Sequence, residues 1–219
     1  MSGEHTFHTH ASTVPLEAAR PLLIADADEV ILRFADGFDR FLRRGGNYLD
    51  LAAYRLHGNV RRLDDQSALL DVEVTALLEA FRSELDWLDA VEGASEALRG
   101  FAPIMNIVVL SNIVEAQAPA RKRNLLKLDL PFALAVNRGP KGPFVKALAE
   151  RAGKPVFFID DISMHHESVA ESAPDVFRLH LIGDERLKPL VPPSPHVHIR
   201  AEDWRAADAF IRAKLSEAR

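Results

Sequence analysis

The sequence contains no cysteine. Disulfide scaffolds, cysteine-ligated zinc and thiol nucleophiles are therefore excluded, and the absence suits a reducing compartment. No apolar run approaches the roughly 20 residues that a membrane helix needs. Residues 1–10 are polar and lack the apolar centre of a signal peptide, so the expected location is the cytoplasm, with no membrane partner. Positive charge is also scarce. The 27 Lys and Arg face 32 Asp and Glu, a net charge of −5, which disfavours a broad nucleic-acid surface. There is no internal repeat and no low-complexity stretch. What is present is ordinary for a globular protein: 47% hydrophobic and 27% charged residues in a chain of 219. That suits one domain with a modest insertion and a core that needs no staples. His5, His8 and His10 would offer a metal only an adventitious site; the segment reads as a solvated tail.

Short aliphatic runs mark the strands. Pro21-Leu22-Leu23-Ile24-Ala25 stops at Asp26, Ile107-Val108-Val109-Leu110 at Ser111, and Val156-Phe157-Phe158-Ile159 at Asp160-Asp161. Runs this short and this aliphatic read as buried strands, and 132–136 and 176–182 read as two more. Helical spacing appears at 35–44, which Gly45-Gly46 ends, and at 66–91, where one or two helices are expected. Further helices are expected at 114–128, at 144–152 after Pro143, and at 202–215. Residues 47–65 suit either a hairpin or a bent helix, and the four prolines of 189–195 require an extended loop. Arg121, Lys122, Arg123 and Lys127 form a basic cluster that reads as a solvated helix face. Strands alternating with helices from residue 107 onward predict an α/β fold, a parallel sheet with helices on both faces.

The chemistry lies where the strands end. In an open parallel α/β sheet, ligands bind outside the carboxyl ends of the strands. Asp26, Asp28, Ser111, Asp160 and Asp161 would therefore meet in one crevice, with Lys141 arriving from a Gly/Pro-rich turn. Carboxylates gathered at one point repel each other and favour a hard cation such as Mg2+. A lysine and a hydroxyl beside that cation make a phosphate site. A carboxylate there can attack phosphorus, and a second carboxyl two residues on can move the proton.

The order of these residues resembles the haloacid dehalogenase superfamily. Asp26-Ala27-Asp28-Glu29-Val30 after its strand looks like the first motif, Val108-Val109-Leu110-Ser111-Asn112 the second, Lys141 the third, and Ile159-Asp160-Asp161 the fourth in a double-aspartate form. The resemblance implies a Rossmann-like core at 21–35 and 93–219, a small cap inserted after the first strand at 36–92, and an N-terminal tail at 1–20. It implies Asp26 as nucleophile and Asp28 as general acid/base. Ser111, Asn112 and Lys141 would hold the phosphate. Asp26, Asp28 (through its backbone carbonyl), Asp161 and Asp160 would make the magnesium set, with Asp161 favoured as the direct ligand.

The implied activity is magnesium-dependent hydrolysis of a small phosphate ester through an aspartyl-phosphate. A phosphomutase or dehalogenase on the same core, a receiver-type signalling domain and a non-catalytic binding protein are the alternatives. The receiver is shorter and orders its residues differently. Two departures from the motif stand out. Glu29 replaces the glycine of many phosphatases, so its side chain crowds the entrance or points away. Met164, His165 and His166 occupy a stretch where an acidic residue often follows, and they read as loop residues, with contact to substrate as the alternative. Tyr48, Tyr54, Arg55, His57, Arg61 and Arg62 are candidates for specificity by their place in the cap; ordinary packing and surface charge is the alternative.

Overall fold

The three aliphatic runs that end in polar residues form the centre of a parallel sheet. The structure is a computed structural model and describes residues 6–218; His5 lies outside them. In chain order the elements are β1 (Leu22–Ala25), α1 (Phe34–Arg44), β2 (Asn47–Leu49), β3 (Val60–Arg62), α2 (Asp71–Phe81) and α3 (Ala94–Phe101). Then come β4 (Asn106–Ser111), α4 (Ala118–Lys127), β5 (Ala133–Val136), α5 (Gly142–Ala149) and β6 (Val156–Asp160). The chain finishes with α6 (Ser163–Ser172), β7 (Phe177–Leu181), β8 (Ile199–Ala201) and α7 (Trp204–Glu217). Six strands pair in the order β5-β4-β1-β6-β7-β8, all parallel.

Every residue of β1, β4 and β6 is buried, as expected of strands covered on both faces. Alternation divides them. Leu22, Ile24 and Phe158 pack with Val145, Leu148 and Val169 of α5 and α6. Leu23, Ala25 and Ile159 face the other way, toward Leu98, Phe101, Leu125 and Ile211 of α3, α4 and α7. From β1 the chain runs outward through β4 and β5, then returns to pair β6 on the opposite side of β1. The carboxyl end of β1 is thus the point where strand order reverses and a crevice opens.

One open segment is resolved and three differ from the sequence expectation. The doubtful stretch after α1 is an antiparallel hairpin, with Tyr48 opposite Arg61. The helix expected to run through 91 ends at Phe81 and a short 3-10 turn, although Leu85 and Leu88 stay buried. Leu88 lies against Gly37 of α1, where any side chain would collide with it. Beyond the proline loop a sixth strand, β8, pairs with β7. The N-terminal segment is not a solvated tail throughout: the His8 N–H donates to Leu134 O at 2.9 Å, and Ala11 and Val14 are buried. No helix among the described residues is long and apolar enough to cross a membrane.

Candidate functional site

Asp26 directly follows β1, and its N–H donates to Ile159 O at 2.9 Å, which ties it to the end of β6. Ala25 lies beside Val109 and Ile159 in the register, so the same edge carries Ser111, the last residue of β4, and Asp160, the last of β6. Lys141 reaches them from the residue before α5. Its Nζ donates to Asp26 Oδ1 at 2.5 Å and to Asp160 Oδ2 at 2.7 Å, and only 1% of its side chain is exposed. Gly142 allows this. A Cβ there would run into the Ser168 backbone of α6, and the Gly142 N–H donates to Ser168 Oγ at 3.0 Å. Close approach of α5 to α6 is what sets the lysine's height over the sheet.

Asp26, Asp160 and Asp161 can each present one oxygen so that all three lie within 4.8 Å of one another. The two neighbouring aspartates are not equivalent. Asp160 is already committed through both oxygens, one to Lys141 and one accepting the Ile162 N–H at 2.8 Å. Asp161 accepts from the Tyr54 hydroxyl, while its Oδ1 is buried without a hydrogen-bond partner. Ser111 Oγ is likewise buried and unpartnered. Three hard oxygen donors with an orphaned carboxylate oxygen fit a divalent cation. Asp28 is outside that trio, so only its backbone carbonyl would remain to serve.

The Asp28 carboxylate is engaged elsewhere. Arg121 of α4 meets it with both terminal nitrogens, Nη1 to Oδ1 at 2.7 Å and Nη2 to Oδ2 at 2.9 Å. Arg121 is fully buried (0% exposed), whereas Asp28 keeps 31% of its side chain accessible. This corrects the reading of the basic cluster as one solvated face. Lys122 is also buried and donates to Phe132 O at 2.6 Å; only Arg123 and Lys127 stay exposed, both against Asp86. Arg121 is a site residue that sequence reasoning missed. Only its place on the α4 face that covers the sheet distinguishes it from its charged neighbours.

Five carboxyl groups, with Glu29 as the fifth, face two buried cations, Lys141 and Arg121. Burial pushes the Asp26 carboxyl up; Lys141 opposes this and Asp160 adds to it. Asp161 is raised well above the usual carboxylate range by burial, then by Asp26 and Glu29. Burial also raises Asp28, against the pull of Arg121. Loss of water would lower the Lys141 ammonium, but Asp160 and Asp26 outweigh it and hold it above its ordinary value. Burial pushes Glu29 to about 8, only partly offset by its bond from Ala35. An excess of buried negative charge is what a cation or a cationic ligand would relieve.

Glu29 does not point away: it is buried and lines the crevice beside Asp28 and Asp161. Its φ of +58° is left-handed, which explains why glycine suits this place in the motif. Its Oε1 accepts the Ala35 N–H at 2.6 Å, satisfying an otherwise open donor in the first turn of α1. His165 and His166 lie in α6, buried, not in a loop. The Asn112 amide donates to Gly139 O at 2.9 Å and lies 3.3 Å from His165 Nε2. Asn112 Oδ1 accepts from Asn137 at 2.9 Å, so the amide nitrogen faces His165 Nε2, while His165 Nδ1 is buried without a partner. His166 and His180 each place Nε2 on a carbonyl of the acidic pair, Asp160 O at 3.0 Å and Asp161 O at 2.9 Å. Burial lowers His166 to about 3, so it stays neutral.

Of the candidates from the inserted segment, Tyr54 alone touches the acidic set. Arg55 lines the adjoining cavity. Arg61 pairs with Asp50, Arg62 with Glu73, His57 with Thr75, and Tyr48 lies beneath Arg43. Ordinary packing and surface charge describe those four.

No family model matches the chain, and no curated relative matches it. Solved structures do. A Bacillus subtilis protein described as a HAD-hydrolase bound to magnesium is 14% identical, with a TM-score of 0.58 over 89% of this chain and 99% of that one. A HAD-superfamily hydrolase of subfamily IA from Geobacter sulfurreducens is 18% identical, with a TM-score of 0.56 over 91% and 100%. A dehalogenase is 14% identical, with a TM-score of 0.54 over 91% and 99%. Sheet order, crevice and nearly full-length overlap agree: this chain has the fold of the haloacid dehalogenase-like hydrolases.

Proposed function

We propose that the chain is a magnesium-dependent hydrolase that removes phosphate from a small phosphorylated metabolite. The observation that carries this reading is the bridge of Lys141 between Asp26 and Asp160, with Asp161 beside it, at the strand-order reversal. Magnesium would be held by Asp26, Asp161 and the Asp28 carbonyl, with Asp160 behind them, and would supply charge neutralisation to the transferring group. Asp26 would attack phosphorus; its new O–P bond forms as the ester O–P bond breaks, leaving an aspartyl-phosphate. Asp28 would give its proton to the departing alkoxide, then take one from the water that attacks the phosphorus of the acyl phosphate and regenerates Asp26. Lys141 Nζ and Ser111 Oγ would hold the phosphoryl oxygens, and Asn112 would brace the turn that carries Lys141. Segment 36–92 would act as the cap that excludes water, and Tyr54 on Asp161 supports that place for it.

Release of inorganic phosphate from a panel of small esters, with magnesium and with chelator, tests the reading. Turnover should require magnesium and should vanish in Asp26→Asn, by about 10³-fold or more for loss of a covalent nucleophile. Near-normal turnover in that variant would sink the assignment. An isomeric phosphate in place of free phosphate would make the enzyme a mutase.

A second reading is favoured by one specific contact. Carbon–halogen hydrolysis uses the nucleophilic Asp without a second acid, and here Arg121 already occupies the Asp28 carboxylate. Halide release from small halogenated acids, without phosphate release from any ester, would select it.

A further inference from the structure

The segment between β1 and α3 leaves a cavity of about 260 Å3 against the carboxyl edge of the sheet. Its floor is acidic. Asp28, Glu29 and Asp161 line it, and Glu29 Oε2 and Asp161 Oδ1 have no hydrogen-bond partner. Its walls are apolar: Phe34 of α1, Leu49 of β2, Leu51 and Leu56 of the turn between β2 and β3, and Leu187 beyond β7. Arg55, on that same turn, is exposed at the lining and has no carboxylate partner among the described residues. The volume lies below the usual range for drug-sized ligands, so the occupant is small.

Chemistry narrows it further. The floor holds Asp28, the proton donor of the proposed reaction, so the group that leaves with the ester oxygen would enter this cavity. The floor could accept one or two hydroxyls, but the further hydroxyls of a sugar or polyol would lie against leucine and phenylalanine, and each one left unpaired would weaken binding by about tenfold. A short hydrocarbon body would meet complementary walls. A carboxylate at its far end would meet an unpaired guanidinium, which suits a carboxylate better than any other common anion save phosphate.

Resting on the hydrolase reading above, we propose that the cavity takes the alcohol part of the substrate, and that this part is a short apolar group carrying a carboxylate for Arg55. The enzyme is then selective for phosphate esters of small apolar hydroxy acids over sugar phosphates.

Non-hydrolysable phosphonates test this by calorimetry on the full chain with magnesium, independently of turnover. Butylphosphonate should bind about tenfold or more tighter than methylphosphonate, because its added methylenes leave water. A set of ω-carboxyalkylphosphonates of three to six carbons should contain a member that binds tighter still. Arg55→Gln should remove that last gain and leave butylphosphonate unchanged. Leu51→Asn, at a half-buried wall position that tolerates a polar side chain, should shrink the butyl-to-methyl ratio. Equal binding of methyl and butyl compounds, or a carboxylate gain that survives Arg55→Gln, would overturn the pocket assignment while leaving the phosphate reading standing. Absence of binding by every phosphonate, methylphosphonate included, would overturn the phosphate reading and this proposal with it.

Discussion

Arg121 and Asp28 show what a single pair does in this site. A fully buried guanidinium left alone would be costly, and Asp28 is its one anionic partner among the described residues. Their bidentate contact fixes the carboxylate's plane beside the nucleophile. Arg121→Met removes a partner from Asp28 yet keeps an unbranched apolar stem in place of the arginine's own. Breaking a fully buried pair costs about 3–5 kcal/mol. Because Asp28 keeps 31% of its side chain accessible, water can take over part of the load, and about 2 kcal/mol is the expected loss in urea unfolding. Asp28→Asn keeps one acceptor oxygen for Arg121 but leaves its buried charge without an anion, so it should unfold earlier than the parent, and the folded fraction should turn over phosphate esters about 10²–10⁴-fold more slowly. Turnover that survives Asp28→Asn while Arg121→Met unfolds early would make the pair structural, and would move the reaction toward chemistry that needs no second acid.

At the scale of elements, the lysine is placed by helix packing and not by its own loop. Gly142 sits where α5 meets the Ser168 backbone. Gly142→Ala would force the two helices apart by about an ångström, at a cost of about 1–3 kcal/mol. Lys141 would move with its helix, so turnover should fall by more than stability alone explains; a variant with normal kcat would show that the lysine adjusts freely. The same elements mark how far the sequence is legible. β1, β4 and β6 were readable because they are short aliphatic runs stopped by polar residues; Asp26, Ser111 and Asp160 followed from where those runs end, and Lys141 from its Gly/Pro-rich turn before α5. The sixth strand was not: Ile199–Ala201 is three residues long, follows a proline loop and is only half-buried at two positions. Arg121 was hidden for a different reason. Its partner is 93 residues away, and a basic run on a helix looks the same whether one member faces inward or none does. The positive φ of Glu29 left a trace, the glycine expected in the motif, but its bond to Ala35 depends on how α1 packs.

For the whole molecule, the consequence lies in how charge and topology coincide. The carboxyl groups at the crevice come from the ends of β1 and β6, while Tyr54 brings the inserted hairpin turn onto Asp161. A cation bound by Asp26 and Asp161 would therefore join two strands that are far apart in sequence, and would bind the folded chain but not the unfolded one. Such linkage stabilises by RT ln(1 + [L]/Kd), about 2.7 kcal/mol at a hundredfold excess over Kd. For a chain of this size that corresponds to a rise in Tm of roughly 5–10 °C. Magnesium should produce it, chelator should reverse it, and Asp161→Ala should lose most of it while unfolding at or above the temperature of the metal-free parent, because one buried repulsive charge is gone. The Asp160→Ala variant separates the two neighbours. It strips Lys141 of one partner and should fall below the metal-free parent in Tm while keeping a magnesium response. If magnesium leaves the parent's Tm unchanged, Lys141 and Arg121 are the only charges this crevice needs, and the cation leaves the reading altogether.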